Sequence, residues 1–319
     1  MIECFLTDAE GTTRQIPDPQ PGAWVNIVAP TTEEQDMLID RLGVVPEFVR
    51  SALDDEESSH VDFDDDTHQT LVIVDCPFVE DEREAEDPTM TQYDTHPLAV
   101  LIIPEHDLIV TISLRENPTV TDFTQRYIYH MNTHQRTRLL LGIFLRVAQR
   151  YLLYLRNINR QFIKNEKALQ KSLSNEDLIK MLGLEKSLVY FSSSLKGDES
   201  TLIRINSGRA LKLYEDDKDL LEDVFIEIRQ AMEMCTIYEN ILNGTMDTYG
   251  NVIANNMNIV MRTLTMVAIV LAIPTIVFSF YGMNVSQLPL IATPLFPLAL
   301  AVIAIFIAIL ALHHMKPFK

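Results

Sequence analysis

The chain has 319 residues and a formal charge of −19. Residues 1–262 hold 24 of the 26 Lys and Arg and all 45 Asp and Glu, a balance of −21. So acidic a region argues against a nucleic-acid partner, which needs a basic face, and makes cations its natural counterpart. Three widely spaced cysteines, Cys4, Cys76 and Cys235, show no CxxC or metal-finger spacing. Their odd number argues against a disulfide framework and fits a reducing cytoplasm. Met1-Ile2-Glu3-Cys4 lacks the basic region and apolar core of a signal peptide.

Residues 1 to about 130 read as mixed α/β. Trp24–Val28 is a short β-prone run. A helix follows from Pro30, with Thr31 as N-cap, Glu34 as its capping-box partner and Gly43 as the stop. Pro46–Leu53 reads as a second short helix. Thr70–Val74, Leu98–Ile103 and Leu108–Ser113 read as buried strands, the last two forming a hairpin about the turn Pro104–Asp107. Asp81–Pro88 is a charged solvated loop. The run Asp62-x-Asp64-x-Asp66 suggests a calcium loop, but Thr67 and Ile73 stand where such a loop needs Gly and Glu, so the run is read as a solvated acidic face. The histidines are scattered with no HExxH pair, and neither a Gly-rich phosphate loop nor a Gly-x-Ser-x-Gly elbow occurs. Nothing in this pattern asks for an enzyme, and any transport would be driven by gradients.

From about Arg136 the pattern turns helical. Leu139–Glu166 is a long amphipathic run broken near Ser172–Asn175. Glu176–Leu195 is a further helix, with Lys196-Gly197-Asp198 as the turn after it. From about Glu215 to Phe280 the only proline is Pro274. Leu220, Val224, Ile228, Ala231, Cys235, Tyr238, Leu242, Thr245, Tyr249 and Val252 recur in steps of three and four, a coiled-coil-like period. One continuous helix here makes a rod of roughly 100 Å that packs against copies of itself. The other possibility is two helices broken at Asn243-Gly244 or Gly250-Asn251.

Thr263–Met315 contains no Asp, Glu, Lys or Arg. Two apolar runs, about Leu264–Phe280 and Leu295–Leu312, approach the ~20 residues that span a bilayer as helix. The polar hairpin Tyr281–Gln287 joins them. Arg262 precedes the first run and His313, His314, Lys316 and Lys319 follow the second, while the hairpin has no basic residue. The positive-inside rule then places both termini in the cytoplasm.

Tyr281-Gly282-Met283-Asn284, directly after the first apolar run and followed by only one more, resembles the signature of the CorA family of divalent-cation transporters. The acidic segment Leu53–Glu57 with Asp64–Asp66 is similar to one in the CorA N-terminal domain, although Ser58-Ser59-His60 stand where basic and proline residues often follow. The resemblance implies an α+β membrane protein and a homopentamer. Its parts are a cytosolic α/β domain over 1–130, a helical region over 131–214 and a stalk helix over 215–281 whose part from about 262 lies in the membrane. A Gly-Met-Asn hairpin over 282–294, a second membrane helix over 295–313 and a basic tail over 314–319 complete it. It implies passive Mg²⁺ influx, with Co²⁺ and Ni²⁺ as further cargo, across the cytoplasmic membrane. Partners are then other copies of the chain, divalent cations and membrane lipid.

One two-helix hairpin encloses no channel, so several copies around an axis are required. The resemblance places Gly282, Met283 and Asn284 at the selectivity filter. It puts the stripe Asp247, Gly250, Ala254, Asn258, Met261, Leu264, Ala268, Ala272 and Thr275 along the pore. Met261 and Leu264 would form the apolar constriction, and Asn258 and Thr275 would offer oxygens. Mg²⁺ gives up first-shell water reluctantly, so an uncharged ring of Asn284 carboxamides suits its hydrated form. Relatives often carry carboxylates after the Asn, but Val285–Pro294 has none. The resemblance also implies regulatory Mg²⁺ bound between subunits, with Asp223 as the matching acid, Asp216, Asp217 and Asp219 nearby, and Glu80 or Asp81 from the neighbour. A proton-coupled zinc transporter of the same superfamily and a membrane-anchored cation sensor without transport are the alternative readings.

Overall fold

The computed structural model describes residues 1–80, 92–127, 131–171, 174–283 and 295–314. A seven-stranded mixed sheet runs in the order β2-β1-β3-β7-β6-β5-β4. Its strands are β1 (Ile2–Thr7), β2 (Thr13–Ile16), β3 (Trp24–Val28), β4 (His60–Phe63), β5 (Thr70–Val79), β6 (Tyr93–Ile103) and β7 (Leu108–Ser113). Only β3 and β7 pair in parallel; the other neighbours are antiparallel. Every residue of β7 is buried, as a central strand covered on both faces requires.

Two layers of helix provide the cover. On one face lie α1 (Thr32–Asp40) and α2 (Pro46–Ala52). There Leu38, Phe48, Val49 and Ala52 close over Val25, Ile27, Leu71, Ile73, Ala99, Leu101, Val110 and Ile112. The short helix α3 (Pro118–Asp122) and a π-helical turn at Phe123–Tyr127 lead to the other layer, the hairpin of α4 (Arg136–Lys171) and α5 (Asn175–Asn206). That hairpin packs on β5 and β6. The capping box expected at Thr31 and Glu34 is present in full, and Gly43 sits at φ +61°, a conformation that ends a helix cheaply only in glycine.

Three expectations are corrected. Helix α5 does not turn at Lys196-Gly197-Asp198 but continues to Asn206. Gly197 serves close packing: a Cβ there would lie 3.3 Å from Ser59 Cβ. Asp198, which reads as a turn residue, is buried and accepts the Asp75 N–H at 3.0 Å. Second, β5 runs on to Val79, past the Val74 at which its pattern reads as ending, and β4 adds an edge strand that the sequence reading lacks. The acidic run is solvated as expected, with Asp62, Asp65 and Asp66 exposed, and it turns at Asp64, whose carboxylate accepts the Thr67 N–H at 2.7 Å and its hydroxyl at 2.6 Å. Those two hydrogen bonds hold the Asp64 carboxyl below its usual range.

The third concerns the long helix α6 (Glu215–Tyr281), which is unbroken at Gly244 and Gly250. Its apolar seam over Val224, Ile228, Ala231, Cys235 and Leu242 is buried within the chain itself, not held open for copies. The hairpin α4/α5 fills it: Cys235 Sγ donates to Leu188 O at 3.1 Å, and Tyr238 and Leu242 face Ile158, Phe162 and Leu188. Beyond Leu242 the seam loses this cover, and Val252 is already 40% exposed. The last helix, α7, spans Leu295–His314. The expected charged loop Asp81–Pro88 lies outside the described residues.

Candidate ion pathway and regulatory acids

The stripe from Asp247 to Thr275 lies on a single α-helix, so its steps of three and four keep it on one side of α6. All nine side chains or glycine positions on it are exposed in the single chain. Met261 is 54% and Leu264 62% exposed, so neither has a partner within the chain that would explain its apolar character. Thr275 Oγ1 donates to Leu271 O at 3.2 Å. That bond uses the hydroxyl proton and leaves oxygen lone pairs for an incoming donor such as a cation's bound water. Thr263 and Thr265 bond back to Ile259 O and Met261 O in the same way, each at 2.8 Å. Pro274 sits inside the helix, where its missing N–H leaves one backbone carbonyl a turn earlier without its usual donor.

At the end of α6 the Gly282 N–H donates to Phe278 O at 2.9 Å, a last turn tight enough that a Cβ on Gly282 would lie 3.0 Å from that carbonyl oxygen. A side chain there would force that carbonyl to give by a few tenths of an ångström, so the close backbone approach favours glycine. Tyr281 packs edge-on against Phe280 and against Phe296, with centroids 5.5 and 6.1 Å apart. Phe296, at the start of α7, is a partner that the hairpin motif gives no hint of; its aromatic type beside a membrane-length run was the available signal. Met283 is 52% exposed. Asn284 lies outside the described residues.

Among the described residues, α6 is the helix long and apolar enough to cross a membrane, and the shorter apolar stretch Leu295–Leu310 follows in α7.

Of the acids near the start of α6, Asp216, Asp219 and Asp223 are exposed and share a face by their spacing. Asp217 differs. It is buried, accepts the Tyr214 N–H at 3.2 Å and stands 3.9 Å from Arg138 Nη1. It fastens the helix N-terminus, where an acid is favoured, and is not open to a bound ion. Glu80 follows directly on β5 and is half-buried, its N–H donating to Gln92 O at 3.0 Å. Asp81 lies outside the described residues. Among the described residues no group of three or more His, Cys, Asp or Glu comes together in one chain to hold a metal.

The family description "CorA-like Mg2+ transporter protein" matches residues 20–314. The chain belongs to the CorA family. A "Cobalt/magnesium transport protein CorA" from Methanocaldococcus jannaschii is 27% identical over 287 residues, 90% of this chain and 87% of that protein. The protein of the same description from Thermotoga maritima is 27% identical over 113 residues, 33% of this chain and 32% of its own length. The complete CorA structure from M. jannaschii superposes with a TM-score of 0.79 at 23% identity, covering 100% of this chain and 99% of that one. Full-length CmaX superposes at 0.74 with 14% identity, over 98% and 97% of the two chains. The cytoplasmic domain of ZntB from Vibrio parahaemolyticus does so at 0.62 with 14% identity, over 80% and 97%. The CorA fold is thus present from the sheet through the long helix.

Proposed function

We propose that this CorA-family chain is a divalent-cation transporter that admits Mg²⁺, with Co²⁺ and Ni²⁺ as further cargo, passively through a homopentameric pore in the cytoplasmic membrane. Both termini lie in the cytoplasm. The observation that carries the reading is the family match through residue 314, which includes the membrane end of the chain, together with an α6 whose distal half exposes its apolar side chains.

The physical steps follow from the residues. A ring of Asn284 carboxamides receives the hydrated ion by hydrogen bonds to its water shell, with no fixed charge to trap it. Gly282 allows the chain to turn closely enough to bring those carboxamides and its own carbonyl to the mouth. Below the filter, Thr275 presents hydroxyl oxygens, Ala272 and Ala268 leave room for bound water, and Leu264 and Met261 close the path by dewetting when the bundle is tight. Asn258 and Asp247 then draw the ion toward the cytosolic side. The second membrane helix over 295–313 encloses the bundle from the lipid side.

Closure is driven by charge. Cytosolic parts of about −21 each repel one another across a symmetric ring, and Mg²⁺ held between Asp223 or Asp219 of one subunit and Glu80 or Asp81 of the next relieves that repulsion. Falling cytosolic Mg²⁺ empties these sites and loosens the ring.

Uptake into proteoliposomes tests the reading, with Mg²⁺ and Zn²⁺ compared while internal Mg²⁺ and pH are varied separately. Mg²⁺ entry without a pH gradient, lost in Asn284→Ala and shut by Mg²⁺ on the cytosolic face, supports it. Zn²⁺ flux that needs a proton gradient assigns the chain to the zinc-transporting branch. Silence toward both ions in folded oligomers at low Mg²⁺ leaves the sensor reading.

A further inference from the structure

Away from α6, the sheet and α5 enclose a pair of acids that ion transport does not use. Asp198 is wholly buried, and its Oδ1 accepts the Asp75 N–H at 3.0 Å. Its Oδ2 is buried without a hydrogen-bond partner. The Asp75 carboxylate lies against the same helix, with Oδ2 3.9 Å from the place a Cβ would take on Gly197. Hydroxyls line the rest of the contact. Ser59 Oγ donates to Ile73 O at 2.9 Å and meets Thr201 Oγ1 at 3.0 Å, while Thr95 Oγ1 meets Ser194 Oγ at 2.9 Å. Tyr151 OH, from α4, donates to Asp75 O at 2.9 Å.

The charged and titratable surroundings do not neutralise two carboxylates. His60 on β4 acts on Asp75 from a distance, and its own Nδ1 is engaged with Ser58 O at 2.8 Å and faces Glu57. Arg150 on α4 is held by Asp122. Cys76 on β5 is neutral, because burial pushes its thiol up, and Tyr151 is kept protonated by burial and by the two acids. Asp198 is wholly buried and Asp75 half-buried beside it, and two such neighbouring carboxylates without a cation do not both ionise at neutral pH. A proton satisfies the pair without room or further ligands, whereas a hydrated divalent ion needs both.

We propose that Asp75 and Asp198 carry one proton between them at neutral pH, and that this proton is the latch holding α5 against the β4–β5 edge of the sheet. Burial, the larger cause, moves Asp75 up to about 6, and burial with the neighbouring Asp75 charge raises Asp198 well beyond the ordinary carboxylate range. The folded state therefore binds a proton that the unfolded chain releases near pH 4. The latch is at full strength below that value, weakens as pH rises above it, and is lost once pH has passed the raised values of the folded pair, the first of them about 6. The next residue, Glu199, accepts from Arg229 of α6 at 2.8 Å, so loosening at the latch reaches the long helix within the same unit.

Full-length protein in detergent micelles, labelled with ¹³C-carboxyl Asp, gives two readings. The infrared band of a protonated aspartic acid is expected at pH 7 and is expected to vanish at alkaline pH. Thermal midpoints of wild type are expected to fall by about 3 °C per pH unit above pH 6. Asp198→Asn, which needs no proton, is expected to flatten that slope and to melt above wild type at pH 9. Absence of the protonated band at pH 7, or parallel slopes in wild type and variant, overturns the proposal. So does a rise in the wild-type midpoint at pH 9 on adding Mg²⁺ or Na⁺ that the variant lacks, since that assigns the pair to a metal ion. The infrared reading on wild type decides the matter even if the variant fails to fold.

Discussion

Helix α6 is used in opposite ways along its length. In the unit Met1–Thr245 its apolar residues disappear: Val224, Ile228, Ala231 and Cys235 are each 0% exposed beneath α4 and α5. In the unit Met246–Lys319 the same helix leaves Met257 61%, Leu264 62% and Ile276 67% exposed, and α7 does likewise with Phe306 at 63%. For the apolar residues themselves the side-chain chemistry hardly changes between these stretches, although Asp, Glu, Lys and Arg crowd the first and are absent from Thr263 to Met315. What changes is whether the chain supplies its own cover. The first unit buries its apolar side chains in its own core; under the proposed function, lipid and further copies of the chain would cover those of the second.

The most disruptive way to test this division is at the filter. Asn284→Ala is expected to lower Mg²⁺ uptake by about 30-fold or more, the worth of one lost hydrogen bond to a charged hydrate. The thermal midpoint of the first unit should stay where it is. A midpoint that falls with the flux would mean that Asn284 supports the fold, and the two uses of the chain would not be separable.

A pair of truncations sharpens the contrast along α6 itself. Ile228→Ala removes a fully buried side chain and is expected to cost about 3 kcal/mol, read as a lower thermal or denaturant midpoint. Met257→Ala, at an exposed site of the same helix, is expected to leave that midpoint unchanged. Equal losses at both sites would show that α6 is one cooperative unit with uniform cover. A smaller effect is expected from Thr31→Ala, which removes the side chain that accepts the Glu34 N–H at 3.3 Å in the capping box of α1. About 1 kcal/mol is expected there, from the same unfolding measurement.

What was legible in the sequence follows the same division. The strands β3, β5, β6 and β7 are runs of β-branched and apolar residues bounded by turn signals, and buried strands announce themselves that way. The edge strands β2 and β4 are four residues long and polar on one side, too short for a pattern to emerge. Gly197-Asp198 misleads because local chemistry reads as a turn while tertiary contact with Ser59 and Asp75 decides the outcome. The seam of α6 was visible as a period, yet a period does not say which surface it meets, and the partner proved to be α4 and α5. For the ion pathway, residue types and spacing mark a stripe, but an axis of symmetry is a property of several chains.

The least expected change is also informative. Cys235 sits in the middle of the covered seam, and burial pushes its thiol up to about 12. Native protein treated with iodoacetamide at pH 8 should therefore keep Cys235 unmodified, since the thiolate is the reactive form and almost none is present. Peptide mass analysis reads this directly, with unfolded protein as the labelled control. Cys4 and Cys76 are buried and free as well, and Cys76 should stay protected alongside it. Labelling of Cys235 alone in otherwise folded protein would locate an opening between α6 and the α4/α5 hairpin. The seam would then be a moving contact of the stalk, and the boundary between covered and uncovered stretches would lie nearer the sheet than Leu242.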